Sequence, residues 1–309
     1  MALAMRVDDL CKSYASTRAV ESVSFDVERG EIFALLGPNG AGKTTTIEIL
    51  EGFLLRDRGT VEVLGVDPGD ATRLRWLRER IGVVLQELAV ESFFTVRQVL
   101  ERNAGFYPHP RPIDEVIDLV GLTDKSDAKV KKLSGGQQRR LDIGLGIVGN
   151  PELLFLDEPT TGLDPAARRT TWDLIRLLSA QGTTVLMSSH YMDEVEALAH
   201  RVAVLSRGRI AAQGSTASLG GRDQGEATIR FALPQGVAVA DLPVTPSRFD
   251  GEVVELTTSD DLSVLHQLAH WALERDVTLH GLSVTRETLE DIYLALTRGD
   301  SADSAPEAR

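Results

Sequence analysis

Apolar and polar positions along the chain fall into distinct patterns. Ile32 to Leu36 and Leu153 to Leu156 are apolar without alternation, and Val185 to Met187 is a shorter run of the same kind. Unbroken runs of that length, bounded by Gly, Asp or Ser, predict strands buried on both faces of a parallel sheet. Each is followed by polar residues and then a helix-compatible stretch. The polar residues are therefore expected at the carboxyl ends of parallel strands, where open α/β sheets bind ligands. By contrast, Arg6 to Leu10, Val20 to Val27 and Thr60 to Leu64 alternate, which predicts antiparallel strands. From Thr95 to Val120 the period turns helical, with apolar residues at Val96, Val99 and Leu100 and again at Val116, Leu119 and Val120. That pattern predicts a small helical subdomain, about residues 87–148, inserted between sheet strands.

The pattern changes again near Gly214. The stretch from there to Glu226, rich in Gly, Ser and charge, reads as a linker. Beyond it the sequence predicts strands from Ala227 to Leu233 and from Glu252 to Thr257, a helix from about Asp260 to Glu274, a third strand, and a last helix from about Glu287 to Thr297. The order ββαβα describes a small α+β domain, and the Ser/Ala/Asp-rich tail after Gly299 is expected to be disordered. The organisation expected is an α/β domain over 1–215, a linker over 216–226, the α+β domain over 227–300 and a tail over 301–309. No internal repeat is visible.

Composition narrows the partners. Among 309 residues, 33 basic against 46 acidic side chains give a net charge of -13. That charge repels nucleic acid and anionic lipid headgroups, so no nucleic-acid partner is expected. No window approaches 18 consecutive apolar residues, so no transmembrane helix is expected. Met1 to Met5 has neither a basic region nor a long apolar run, and is not read as a signal peptide. The single cysteine, Cys11, rules out an internal disulfide and fits a reducing cytoplasm.

Candidate chemistry sits at the strand ends. Gly37 to Thr45 reads GPNGAGKTT (Gly37, Pro38, Asn39, Gly40, Ala41, Gly42, Lys43, Thr44, Thr45) and follows the apolar run Ile32 to Leu36. It fits the phosphate-loop pattern G-x-x-x-x-G-K-[ST] in the strand-to-helix context that the pattern requires. The glycines let successive N–H groups converge on phosphate oxygens, and the following helix adds its positive dipole end. Lys43 is expected on the β- and γ-phosphates of ATP, and the Thr44 hydroxyl on Mg²⁺. In LLFLDEP, Leu153 to Pro159, two carboxylates end an apolar strand. Asp157 is expected near the Mg²⁺, and Glu158 facing the γ-phosphate as the general base for water. A third motif, LSGGQ at Leu133 to Gln137, opens a helical segment. Ser134, Gly135 and Gly136 then make a second anion-binding helix start. One nucleotide does not need two cradles from one chain, so this one is expected to close on ATP bound by another copy.

Phosphate loop, LSGGQ and LDEP in that order resemble the ATP-binding cassette (ABC) ATPases, over about Met5 to Gln213. The resemblance implies a head-to-tail dimer and further roles. Tyr14 matches the aromatic that stacks on adenine, and Gln86 the glutamine that senses Mg²⁺ or the attacking water. Gln137 completes the LSGGQ cradle, Asp164 matches the aspartate across the dimer interface, and His190 the switch histidine at the γ-phosphate. His266, His270 and His280 complete no tetrahedral ligand set and are not read as a metal site. Only 48 positions separate Gln86 from Ser134, which leaves no room for the coiled coils of DNA-repair relatives. The closing segment LEDIYLALTRG, Leu289 to Gly299, resembles drug-, antibiotic- and polysaccharide-export subunits. The reading that follows is the ATP-hydrolysing motor of an exporter, held on the inner face of the membrane by a separate permease. The alternatives are an importer motor and a soluble ABC ATPase acting on a protein or ribosomal partner.

Overall fold

A computed structural model describes residues 2–15, 17–85, 92–219, 226–234, 236–286 and 293. Gln86, the segment 287–297 read as a last helix (apart from Tyr293), residues 220–225 of the linker and the tail 301–309 lie outside the described residues. The chain divides into two compact units, Met1–Thr216 and Ala217–Arg309.

The first unit is built on two sheets. In the larger, β3 (Ile32–Leu36), β5 (Ile81–Val84), β6 (Leu153–Asp157), β7 (Thr184–Ser189) and β8 (Arg201–Ser206) run parallel in the order β5-β6-β7-β3-β8. An antiparallel edge strand, β9 (Arg209–Ser215), completes it. Gly214 pairs with Val202 inside that edge strand, so the chain is still sheet where its composition first turns linker-like. The apolar runs are buried because β3 and β7 have no exposed residue on either face. The smaller sheet, β1 (Leu3–Tyr14), β2 (Thr17–Glu28) and β4 (Arg58–Val63), is antiparallel in the order β2-β1-β4. One core joins the two sheets, with Phe25 of β2 stacked on Phe33 of β3 at 5.2 Å between ring centroids.

Helix α1 (Lys43–Leu50) follows β3, and α2 (Leu74–Arg78) precedes β5. The expected helical subdomain comprises α3 (Val96–Ala104), α4 (Ile113–Leu119) and α5 (Gly135–Ile147). Its apolar positions Val96, Val99, Leu100, Val116 and Ile143 are buried together with Leu141. Where α5 crosses β5, an ideal Cβ on Gly82 would lie 2.0 Å from the Gly146 carbonyl oxygen, so the pair sets the distance between helix and sheet. Helices α6 (Pro165–Ala180) and α7 (Met192–Leu198) follow β6 and β7.

In the second unit, β10 (Ala227–Ala232), β12 (Val253–Thr258), α8 (Asp261–Glu274) and β13 (Ser283–Arg286) match the sequence expectation. A two-residue strand, β11 (Arg248–Phe249), is added at one edge, in the all-antiparallel order β11-β12-β10-β13. Its core is Ile229, Phe231, Val254 and Leu256 from the sheet and Leu268 from α8.

Candidate functional site: a phosphate loop facing a carboxylate edge

Three neighbouring strands, in the order β6-β7-β3, deliver the predicted groups to one edge of the sheet. Leu36, the last residue of β3, is in register with Ser189, and Asp157, the last residue of β6, with Ser188. The loop after β3, the carboxylates after β6 and His190 after β7 therefore leave adjacent strands side by side, as open parallel sheets arrange their ligand sites.

The loop wraps a cavity of about 460 Å³ whose wall includes Asn39, Gly40, Gly42, Lys43, Thr44, Thr45, Asp157 and Glu158. Gly42 caps α1 in the left-handed region at φ 102°, and an added Cβ would lie 2.4 Å from the Ala19 carbonyl oxygen. Only glycine fits there. Lys43 is 5% exposed, and its ammonium donates to the carbonyls of Gly37 at 2.7 Å and Pro38 at 3.2 Å. Burial holds its pKa below the ordinary lysine value, opposed by the charges of Glu158 and Asp157.

Asp157 and Glu158 face that loop. Thr44 Oγ1 lies 3.4 Å from Asp157 Oδ2, a pair of hard oxygen donors of the kind Mg²⁺ takes. Glu158 adopts φ 46°, a left-handed conformation that costs a non-glycine residue on the order of 1 kcal/mol or more. Its carboxylate reaches three groups: Oε1 lies 3.0 Å from His190 Nδ1 and 3.9 Å from Lys43 Nζ, while Oε2 accepts from Thr161 at 3.2 Å.

Tyr14, Ser134, Gly135, Gly136, Gln137 and Asp164 are not among the described residues of the cavity wall. Tyr14 ends β1, is half exposed, and has the Lys12 ammonium 5.8 Å from its ring centroid. Ser134 and Gln137 close a reciprocal capping box at the start of α5, with Ser134 Oγ accepting from Gln137 N and Gln137 Oε1 from Ser134 N. The N–H groups of Gly135 and Gly136 remain as helix-start donors. Gly136 packs on the first turn of α6, where an added Cβ would meet Ala167 at 2.8 Å. Asp164 caps that turn, accepting from Ala166 N and Ala167 N at 2.9 Å each.

Sequence reasoning missed the groups that hold this edge in shape. Ser188, in the strand between loop and carboxylates, donates to Asp157 Oδ1 at 2.5 Å and accepts from Glu158 N at 3.0 Å. Glu194, 1% exposed on α7, accepts from Thr160 at 2.6 Å, Trp172 Nε1 at 3.2 Å and Ser189 at 2.6 Å. Ser189 Oγ in turn accepts from Tyr191 N at 3.0 Å, which fixes the turn carrying His190. The signal available in sequence was the acid at the start of a helix just after His190. Thr17, Arg18 and Ala19 add to the cavity wall from β2, and nothing in their local sequence marks them.

A glycine-built phosphate cradle, a carboxylate pair at the adjacent strand ends and a second glycine helix start define a phosphate-loop ATPase cassette. The chain belongs to the ABC transporter family, as an ATP-binding and ATP-hydrolysing subunit. The family model described as ABC transporter matches residues 20–161, and that of the ABC transporter domain-containing protein-like C-terminal domain matches residues 227–288. The daunorubicin resistance ATP-binding protein DrrA3 of Streptomyces coeruleorubidus is 35% identical over 96% of each chain. The Nod factor export ATP-binding protein I of Paraburkholderia xenovorans is 37% identical, over 97% of this chain and 99% of its own. Among solved structures, an ATP-binding subunit of an ABC transporter superposes with a TM-score of 0.63 at 26% identity, covering 70% of this chain and 91% of its own.

Proposed function

We propose that the chain is the motor of an ABC exporter, coupling ATP-driven dimer closure to a separate membrane permease. The observation that carries the catalytic part is the Glu158 carboxylate, held between His190 Nδ1 and the Lys43 ammonium at the mouth of the phosphate loop. In this reading Lys43 exchanges its bonds to the Gly37 and Pro38 carbonyls for β- and γ-phosphate oxygens. Glu158 takes the proton of the attacking water, and His190 orients the γ-phosphate. Thr44 and Asp157, with Gln86, would hold Mg²⁺, which would supply charge neutralisation at the phosphates. Tyr14 stacks on the adenine.

Ser134, Gly135, Gly136, Gln137 and Asp164 then serve a second copy or a paralogue in a head-to-tail dimer. Support for this is that none of them contributes to the described wall of the cavity their own chain forms. The exporter reading is supported by the relatives, which are named for daunorubicin resistance, linearmycin resistance and Nod factor export. No described helix is long and apolar enough to cross a membrane, and in this reading a separate permease supplies the path for cargo. A second cavity of about 460 Å³ between α2 and the turn after α3, lined by Leu74, Arg78, Phe106 and Tyr107, suits an amphipathic segment of that partner. Phe106 at its edge is 76% exposed. The test is affinity purification of tagged protein from detergent-solubilised membranes of its host, with identification of what stays bound. A stoichiometric multi-span membrane protein is expected. A cytosolic complex, with ATPase activity intact, would move the reading to a soluble remodelling ATPase.

A further inference from the structure

Arg139 lies on α5, in the second turn after the Ser134 cap, and is 8% exposed. Its guanidinium is spent on main-chain carbonyls of two other segments. Nε donates to Pro159 O at 2.7 Å, and Nη2 to Asp157 O at 2.9 Å and Glu158 O at 3.2 Å. Nη1 donates to Leu85 O, the carbonyl at the root of Gln86, and pairs with Asp142 at 3.1 Å. One planar fork thus holds three consecutive carbonyls of the turn after β6. A lysine ammonium, a point charge on a flexible stem, cannot span them.

That turn is the one in which Glu158 takes its left-handed φ of 46°. Such a conformation persists only where the surroundings over-determine it. Here both main-chain polar groups of the residue are held, its N–H by Ser188 and its carbonyl by Arg139 Nη2 at 3.2 Å and Thr161 N at 3.3 Å. If the Arg139 fork is released, the Asp157 and Pro159 carbonyls lose their Arg139 bonds and the Glu158 carbonyl keeps the Thr161 N–H, so the turn can relax toward an ordinary φ and swing the carboxylate away from His190 and Lys43.

We propose that Arg139 is a positioning residue for ATP hydrolysis: it fixes the main chain of Asp157–Pro159 and thereby aims the Glu158 carboxylate. The proposal rests on the reading of Glu158 as the group that activates water. A purely structural role, neutralising the buried Asp142, makes a different prediction, because an apolar replacement of a buried ion pair restores stability without restoring the fork.

The experiment uses the full chain with four variants: Arg139→Lys, Arg139→Met combined with Asp142→Leu, Glu158→Gln, and Glu158→Gln with Arg139→Lys. Melting temperature, affinity for a fluorescent ATP analogue, kcat and KM are measured for each. Arg139→Lys and the paired Met/Leu variant are expected to bind nucleotide within about twofold of wild type. Both should lose kcat by about 100-fold, the scale of a misplaced reacting group, with KM little changed. In the Glu158→Gln background, Arg139→Lys is expected to cost almost nothing more, because two residues acting as one unit are not additive. The proposal is overturned if the paired variant turns over within about threefold of wild type, or if Arg139→Lys costs its full factor in the Glu158→Gln background. Failure of both Arg139 variants to fold also overturns it, since that makes the residue a folding determinant. Wild-type turnover in Glu158→Gln alone would instead remove the Glu158 reading and leave the Arg139 factors to be explained otherwise.

Discussion

The two halves of the site are made of different material. On the phosphate-loop side the working surface is main chain around Gly40 and Gly42, both in the cavity wall, followed by the buried ammonium of Lys43. On the carboxylate side the main chain is a strand end, and the working geometry comes from side chains that brace one another, Ser188 on Asp157 and Glu158, Glu194 on Ser189 and Thr160. A surface made of main chain is lost when a Cβ is added. A surface made of braced side chains is lost when one atom changes from acceptor to donor. The two halves should therefore fail in different assays, one in binding and the other in turnover.

The largest effect is expected at Glu158→Gln. The amide keeps the shape but cannot take a proton, so turnover should fall by about 10²–10⁴-fold while ATP still binds and the dimer persists. Single-turnover hydrolysis of labelled ATP measures it, and wild-type turnover would remove Glu158 as the base. On the other side, Gly42→Ala places a methyl 2.4 Å from the Ala19 carbonyl oxygen at φ 102°. The loop must open, so nucleotide affinity should fall by about 100-fold or more, equivalent to about 3 kcal/mol. Equilibrium titration with a fluorescent nucleotide checks this. A variant that binds normally but turns over slowly would erase the contrast between the halves.

Glu194→Gln should be milder and should register in both stability and rate. Three donors converge on its carboxylate: the Thr160 and Ser189 hydroxyls and the Trp172 indole N–H. An amide nitrogen at the Oε1 position would face the Trp172 N–H, and at the Oε2 position it forces the Ser189 hydroxyl to turn and accept, so either placement loses a buried bond, at about 1–3 kcal/mol. A melting temperature lower by several degrees and a kcat reduced about tenfold are expected. Loss of stability with unchanged kcat would mean that the Ser189–Tyr191 turn does not depend on Glu194 to present His190.

The same division explains what could be read from the sequence. The phosphate loop's pattern is nine consecutive residues, Gly37 to Thr45, beginning where β3 ends, and its lysine bonds carbonyls only five and six positions away. Likewise Asp157 ends, and His190 directly follows, strands that announce themselves as unbroken apolar runs. The bracing does not have this property. Ser188 meets Asp157 across 31 positions, Thr160 meets Glu194 across 34, and Arg139 meets Pro159 across 20. Those pairings exist only once β6, β7 and α5 are packed. No local pattern marks a guanidinium aimed at carbonyls, because its partners carry no side-chain signature. Strand β11 was missed for a related reason, since two exposed residues give no alternation to detect.

The smallest effect expected concerns a buried acid outside both halves, and it separates stability from catalysis. Glu51 closes α1 at 3% exposure, and burial, with the charges of Asp157 and Glu48 as lesser causes, pushes its carboxyl up to about 8. In the unfolded chain the group returns to its ordinary value of 4.5. Between those limits the folded chain holds a proton that the unfolded chain has released. Stability from this group is therefore complete below about pH 4.5 and is lost as pH rises through about 8. Glu51→Gln keeps a neutral side chain of the same size at every pH, so it should flatten that decline. Melting temperatures measured in magnesium-free buffer at pH 6 and pH 9 should differ less in the variant than in wild type, by a few degrees, at roughly 2–4 °C per kcal/mol for a domain of this size. Parallel curves would mean that Glu51 is reached by water in the folded chain, and that the base of α1 carries no proton at neutral pH.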